Sequence, residues 1–240
     1  MRPLIAQLGA DLPRPRAVII GEPTSMTVID AHKRIDVYRT KITGKEAHSS
    51  LPSLGVNAIS VAAKLIGEID RMAETSAATE NDQRFEPPYS TMSVGVIEGG
   101  TAANIVPQHC AFRWQVRSLP NTALDAPRDL AAFAETLLPK MRDVAKDAAI
   151  ETEGQTSVPA FTAAPKSDAV ALALALTGAN RTSAVSYATE AGLFEQAGCP
   201  AVVCGPGDIA QAHAADEYVS IAQIEACLKF LEDLADRLRS

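Results

Sequence analysis

The chain changes periodicity twice. Ala17-Val18-Ile19-Ile20-Gly21 is a short apolar, β-branched run of the kind that makes a buried strand. From Lys33 the pattern becomes alternation, with Ile35, Val37, Tyr38, Thr40 and Ile42 in a run that ends at Gly44, as in a half-exposed strand. Between Gly55 and Met72, the apolar residues Ile59, Val61, Ala62, Leu65, Ile66 and Ile69 recur at helical spacing opposite Lys64, Glu68 and Arg71. A polar loop is expected over Glu74 to Pro88. Strands are expected over Tyr89 to Ile97 and Ala111 to Ser118, a helix with Pro139 inside it over Asp125 to Lys146, and a short strand over Ala149 to Glu153.

The middle of the chain therefore reads β-α-β-β-α-β, a ferredoxin-like split arrangement with a four-stranded antiparallel sheet and two helices on one face. After Gly154 short apolar strands alternate with helices again. Helices are expected over Ser167 to Leu176 and Ala191 to Gln196, and strands over Ala184 to Tyr187 and Pro200 to Cys204. The terminal helix carries a capping box, Ser220 and Gln223, and an apolar stripe of Ile221, Ile224, Leu228, Leu231 and Leu238. The two flanks resemble each other and the middle differs. The expected fold class is α/β: a mostly parallel α/β catalytic domain in two pieces, residues 1–33 and 155–240, receiving an inserted module over 34–154.

Composition narrows the function. The 240 residues are 47% apolar and carry 22 positive against 29 negative charges, a net −7, so nucleic acid is not an expected partner. Four cysteines, Cys110, Cys199, Cys204 and Cys227, show no C-x-x-C pair, which points to a reducing cytoplasm. The longest apolar stretch, Ala169 to Leu176, is far short of the roughly 20 residues that span a bilayer.

Chemistry is expected beyond the carboxyl ends of the flanking strands. Glu22 follows the first strand at a Pro-fixed turn, and His213 follows the Gly205-Pro206-Gly207 turn after the last one. The pair can serve as metal ligands, or equally be a solvated turn carboxylate and a surface histidine. In the middle module His48 reads as a ligand-facing or a turn histidine, and Asn104 as a binding group or a loop-closing side chain. Arg117 is a strand cation that needs pairing.

Several strings in order resemble the M20 metallopeptidase family, its acetylornithine deacetylase branch in particular. They are Gly21-Glu22-Pro23-Thr24, Gly44-Lys45-Glu46-Ala47-His48-Ser49-Ser50 with Gly55-Val56-Asn57-Ala58, and Gly99-Gly100-Thr101-Ala102-Ala103-Asn104-Ile105-Val106-Pro107, then Tyr187-Ala188-Thr189-Glu190-Ala191-Gly192-Leu193-Phe194 and Gly205-Pro206-Gly207 through His213. The resemblance implies a zinc-dependent amidohydrolase that removes the acetyl group from N2-acetyl-L-ornithine in arginine biosynthesis. It implies a small N-acyl amino acid substrate, two zinc ions in the complete family site, and a homodimer formed by the inserted module.

By the same resemblance Glu22 and His213 are metal ligands, and His48 holds the substrate carbonyl in the other subunit's site. Asn104, Arg117 and Thr189 contact substrate. The family's remaining ligands and its general base lie ahead of the Glu-Pro-Thr strand, whereas the 21 residues before Glu22 contain no histidine or glutamate. The expectation is a C-terminal portion, inactive alone, with an open sheet edge or apolar surface near Ala17 to Gly21, and hence poor solubility, an added partner or a locally rearranged N-terminus, while the insert stays folded. Two other readings are a non-catalytic dimerisation and substrate-recognition fragment, and a sibling deacylase of the succinyl-diaminopimelate desuccinylase or aminoacylase type.

Overall fold

The computed structural model describes residues 1–212 and 214–239. The chain divides into two compact units, one of Met1–Arg34, Arg84–Glu86 and Val158–Ser240, the other of Ile35–Gln83 and Pro87–Ser157.

In chain order the elements are α1 (Arg2–Ile5), β1 (Val18–Ile20), β2 (Ile29–His32), β3 (Arg34–Thr43), β4 (Ala47–His48), α2 (Ala58–Thr79), β5 (Thr91–Gly99), β6 (Ile105–Val106), β7 (His109–Ser118), α3 (Ala126–Arg142), β8 (Ala149–Val158), β9 (Phe161–Thr162), α4 (Asp168–Thr177), β10 (Ser183–Val185), α5 (Ala191–Gln196), β11 (Ala201–Val203) and α6 (Ile221–Arg239).

The first unit is built on a sheet ordered β1-β11-β2-β10, with β9 also paired to β2. In β11, Ala201 and Val203 face α5 with Ile29, Phe161 and Phe194, while Val202 faces α4 and α6 with Val28, Ala169 and Phe230. That period-2 division puts apolar side chains on both faces of the sheet, so the strand reads as a continuous apolar run. β1 lies parallel to β11, and β10 parallel to β2. The expected mostly parallel sheet is in fact mixed, because β2 runs antiparallel to both β11 and β9.

The second unit has the expected β-α-β-β-α-β order, with sheet order β5-β7-β3-β8. Residues Phe112, Trp114 and Val116 of β7 alternate inward, onto Leu65 and Ile69 of α2 and Leu130, Leu138 and Met141 of α3. The Trp114 indole N–H donates to Thr40 Oγ1 at 3.0 Å, and Thr40 shares a 2.9 Å hydroxyl contact with Thr152, so the one polar atom of the largest core side chain is satisfied. Helix α2 starts where Asn57 accepts from the Ser60 N–H at 2.9 Å, and α3 where Asp125 accepts from Arg128 N–H at 3.4 Å.

Three further expectations are corrected. The stretch from Glu74 is not loop until after Thr79, because Met72 and Ser76 continue the buried stripe of α2. β8 extends five residues beyond Glu153, along an edge whose exposed polar residues show no alternation. The apolar stripe of α6 is not its inner face: Phe230 is buried, whereas Ile221, Leu228, Leu231 and Leu238 are 77, 54, 51 and 79% exposed.

Candidate functional site

In the first unit, parallel pairing of β1 and β11 delivers the turns that follow them to one end of the sheet. Those turns are fused. A Cβ on Gly205 would lie 2.4 Å from the Gly21 carbonyl carbon and 2.6 Å from the Glu22 oxygen, so only glycine allows this approach. The Gly205 carbonyl accepts from Met26 N–H at 2.9 Å, Gly205 N–H donates to Thr24 Oγ1 at 3.1 Å, and Ser25 N–H donates to the Gly207 carbonyl at 2.7 Å. Ser25 and Met26 are held at φ of 52° and 59°, a left-handed pair that the surrounding bonds enforce.

Glu22 is half-buried in this junction. Tyr187, which follows β10, donates its hydroxyl to the Pro23 carbonyl at 3.3 Å. Its pKa is pushed up to about 12, first by burial and then by the negative charges of Glu22 and Asp208. Asp208 also accepts from Ala210 N–H at 2.9 Å. A carboxylate, a second carboxylate and a phenol therefore share one electronegative strand-end corner. Among the described residues no three of His, Cys, Asp and Glu come together as a metal-holding group. His213, expected to be a ligand, lies outside the described residues. Glu22 alone does not make a metal centre.

Thr189 is buried. Its hydroxyl accepts from Ala191 N–H at 3.1 Å at the start of α5, and its own N–H donates to Nε2 of His32 at 3.2 Å. The other ring nitrogen of His32 donates to the Lys33 carbonyl at 2.9 Å, so the ring is a neutral Nδ1–H tautomer. Burial lowers its pKa. His32 thus ties β2 to the segment bearing Thr189. Its only trace in the sequence is a histidine closing an apolar run.

In the second unit β4 and β6 form a two-stranded ribbon with His48 opposite Ile105. Ser49 N–H donates to the Asn104 carbonyl at 3.0 Å, so the ribbon brings His48 and Asn104 together at one exposed corner. Gly44 and Gly55 clamp the ribbon to the entry of α2. A Cβ on Gly44 would sit 2.1 Å from the Val56 oxygen, beside the paired Lys45–Val56 backbone bonds of 3.0 and 2.9 Å. Nδ1 of His48 accepts from Ser50 N–H at 3.2 Å and lies 2.7 Å from Ser50 Oγ. A neutral ring held this way carries its proton on Nε2 and presents a hydrogen-bond donor outward.

Arg117 stands apart from that corner. On β7, seven residues beyond Cys110, it pairs with Thr91 of β5, whereas the ribbon joins the Cys110 end through Gly44 N–H to Gln108 O at 2.7 Å. Seven strand residues span about 23 Å. Within one copy of this unit, His48 with Asn104 and Arg117 occupy opposite ends.

Comparison with known proteins finds relatives along most of the chain. Residues 31–142 match the M20 peptidase dimerisation domain. The chain is 33% identical to acetylornithine deacetylase of Myxococcus xanthus over 91% of its own length and 56% of that protein's, and 36% identical to the Proteus mirabilis enzyme over 93% and 56%. Residues 31–142 thus carry an M20-type dimerisation domain.

Among solved structures, a tripeptidase of Staphylococcus aureus matches 95% of the chain and 58% of its own at a TM-score of 0.66 and 20% identity. A hydantoinase/carbamoylase-family amidase from Burkholderia phymatum gives 0.63 and 14%, over 96% of the chain and 56% of its own. These two show the shared fold. The chain spans about half the length of the curated relatives it matches. No helix among its described residues is long and apolar enough to cross a membrane.

Proposed function

We propose that the chain contributes to an amidohydrolase of the acetylornithine deacetylase type, which releases acetate from N2-acetyl-L-ornithine in arginine biosynthesis in the cytoplasm. The similarity to acetylornithine deacetylases along nine-tenths of this chain carries the reading. The His48–Asn104 corner supports it chemically.

The reaction is attack of water on an amide carbonyl. The outward Nε2–H of His48 donates to the oxygen as negative charge develops, and the Asn104 side chain holds the same carbonyl region. Arg117 holds the substrate carboxylate as a bidentate cation, and Thr189 keeps the neighbouring loop in register. Since the two ends of the second unit stand a strand length apart, a complete pocket needs His48 of one subunit and Arg117 of another. The homodimer forms through β5, an edge strand whose Val96 and Ile97 are 45 and 51% exposed. Glu22 and His213 are the chain's own candidates for zinc ligands. Zinc, where bound, supplies a nucleophilic water near neutral pH. The described residues do not complete such a centre, so further ligands are required.

The test is a chimera in which this chain replaces the matching region of the Myxococcus xanthus enzyme. It should hydrolyse acetylornithine faster than the succinyl and formyl analogues. A folded, zinc-loaded chimera that turns over only the succinyl substrate makes the protein a desuccinylase, and one that turns over none makes it a recognition module.

A further inference from the structure

The face of the β5-β7-β3-β8 sheet turned away from α2 and α3 carries a trough of about 510 Å³. Its floor is Ala111, a small residue on the side of β7 that otherwise carries His109, Arg113, Gln115 and Arg117. Glu98 of β5 pairs with Ala111 on one flank, and Arg39 and Lys41 of β3 stand on the other. The β4–β6 ribbon closes one end through Glu46, Ile105 and Pro107, and neither His48 nor Asn104 lines the trough. Lys41 is satisfied by Glu153 of β8 at 2.9 Å. Arg39 is half-buried, yet among the described residues its guanidinium enters no ion pair, and the same holds for the carboxylates of Glu98, Glu46 and Glu151, which also line the trough. Arg39 and Glu98 are kept apart by the fold, because with β7 between them their strands run about 10 Å from one another.

We propose that this trough binds a free basic α-amino acid. Arg39 donates to the ligand's carboxylate, for which the guanidinium fork has the matching geometry. The α-ammonium donates to Glu98 across Ala111. Two charged groups on one α-carbon, each with a hydrogen bond of about 2.9 Å beyond it, bridge a gap of this kind, whereas a ligand with a single charge answers only one wall. The rim then selects the side chain. Glu46 and Glu151 add two carboxylates beyond the Arg39 and Glu98 couple, and that surplus of negative charge favours a ligand with a second cationic group. A bare metal ion suits the trough less well, since no three of His, Cys, Asp and Glu come together among the described residues. A multivalent anion would face three carboxylates for one unpaired arginine. Glu46 precedes Ala47 of β4 and Ile105 lies on β6, so a bound ligand also braces the ribbon that carries His48. None of the residues assigned above to catalysis lines the trough, so this site stands whichever acyl group the enzyme removes.

The experiment titrates L-lysine into the full chain by calorimetry and follows amide hydrogen exchange along the ribbon. The expected result is one lysine per chain with a Kd of about 1 mM or tighter, and slowed exchange at residues 45–48 and 104–106. L-lysinamide, which lacks the carboxylate, and L-norleucine, which lacks the side-chain ammonium, should each bind roughly tenfold more weakly. Arg39→Gln and Glu98→Gln should each weaken lysine by a similar factor, and Ala111→Leu, which fills the floor, should abolish binding, all with unchanged unfolding midpoints. His48→Ala should bind lysine as the parent does. Where a variant fails to fold, the lysinamide and norleucine comparisons on the unaltered chain decide. Absence of binding at about 10 mM lysine, norleucine or lysinamide binding as tightly as lysine, or unchanged binding by folded Arg39→Gln overturns the proposal. So does loss of binding in His48→Ala, since lysine then occupies the His48–Asn104 corner.

Discussion

His32 shows most clearly what one side chain does here. Both ring nitrogens are used, one as donor to Lys33 and one as acceptor from Thr189, and the ring packs tilted against Phe161 with centroids 5.4 Å apart. Protonation would destroy the acceptor and bury a charge, which is why the folded pKa lies below 6.5. The unfolded chain takes up the proton at about 6.5 and the folded one does not. This contribution to stability is therefore complete above that pH and falls as pH drops through the window below it, by up to about 1.4 kcal/mol per pH unit. Urea unfolding followed against pH should show this slope, and His32→Asn should remove it at the cost of about 1–3 kcal/mol at neutral pH. An unchanged slope in the variant would mean that another group sets it.

His48 carries a prediction of the opposite kind, since its side chain is exposed and its ring, among the described residues, bonds Ser50. His48→Ala in the chimera should lower turnover roughly 10²- to 10³-fold while zinc content stays unchanged. The motif strings singled out His48, Asn104 and Glu22 as candidates in the sequence. His32, Tyr187 and Asp208 were not, because their roles depend on what the fold places beside them.

Among the elements, legibility followed length and burial. Helices α2 and α3 each carry enough turns for an apolar stripe to be unmistakable, and β7 alternates over ten residues. The β4–β6 ribbon has two residues per strand, too few for any period, and β2 has four. The ribbon is instead specified by glycine: Gly44→Ala should cost about 3 kcal/mol through the clash with the Val56 carbonyl, read as a lowered unfolding midpoint of the second unit. Tolerance of alanine there would show that the ribbon is not held by that close approach. The stripe of α6 was visible in the sequence, but a sequence pattern cannot say which of two apolar flanks the rest of the chain covers. If the proposed dimer forms through the edge strand β5, Ile97→Lys should convert it into a folded monomer, checked by sedimentation.

For the molecule as a whole, the inserted β-α-β-β-α-β order was readable because each of its strands and helices is long. The mixed sheet of the first unit was not, because pairing direction leaves no mark on strands of three residues. We propose that at this scale the amidohydrolase site is completed by a second subunit's dimerisation domain. Mixing two chimera variants tests it most directly. His48→Ala and Glu22→Gln, each inactive as a homodimer, are dissociated, combined and reassociated. If His48 serves the other subunit's site, half of the dimers regain one working site, and activity returns to about a quarter of the parent's. If the mixture, with heterodimers shown to be present, stays as inactive as its components, His48 does not act across the dimer and the account fails.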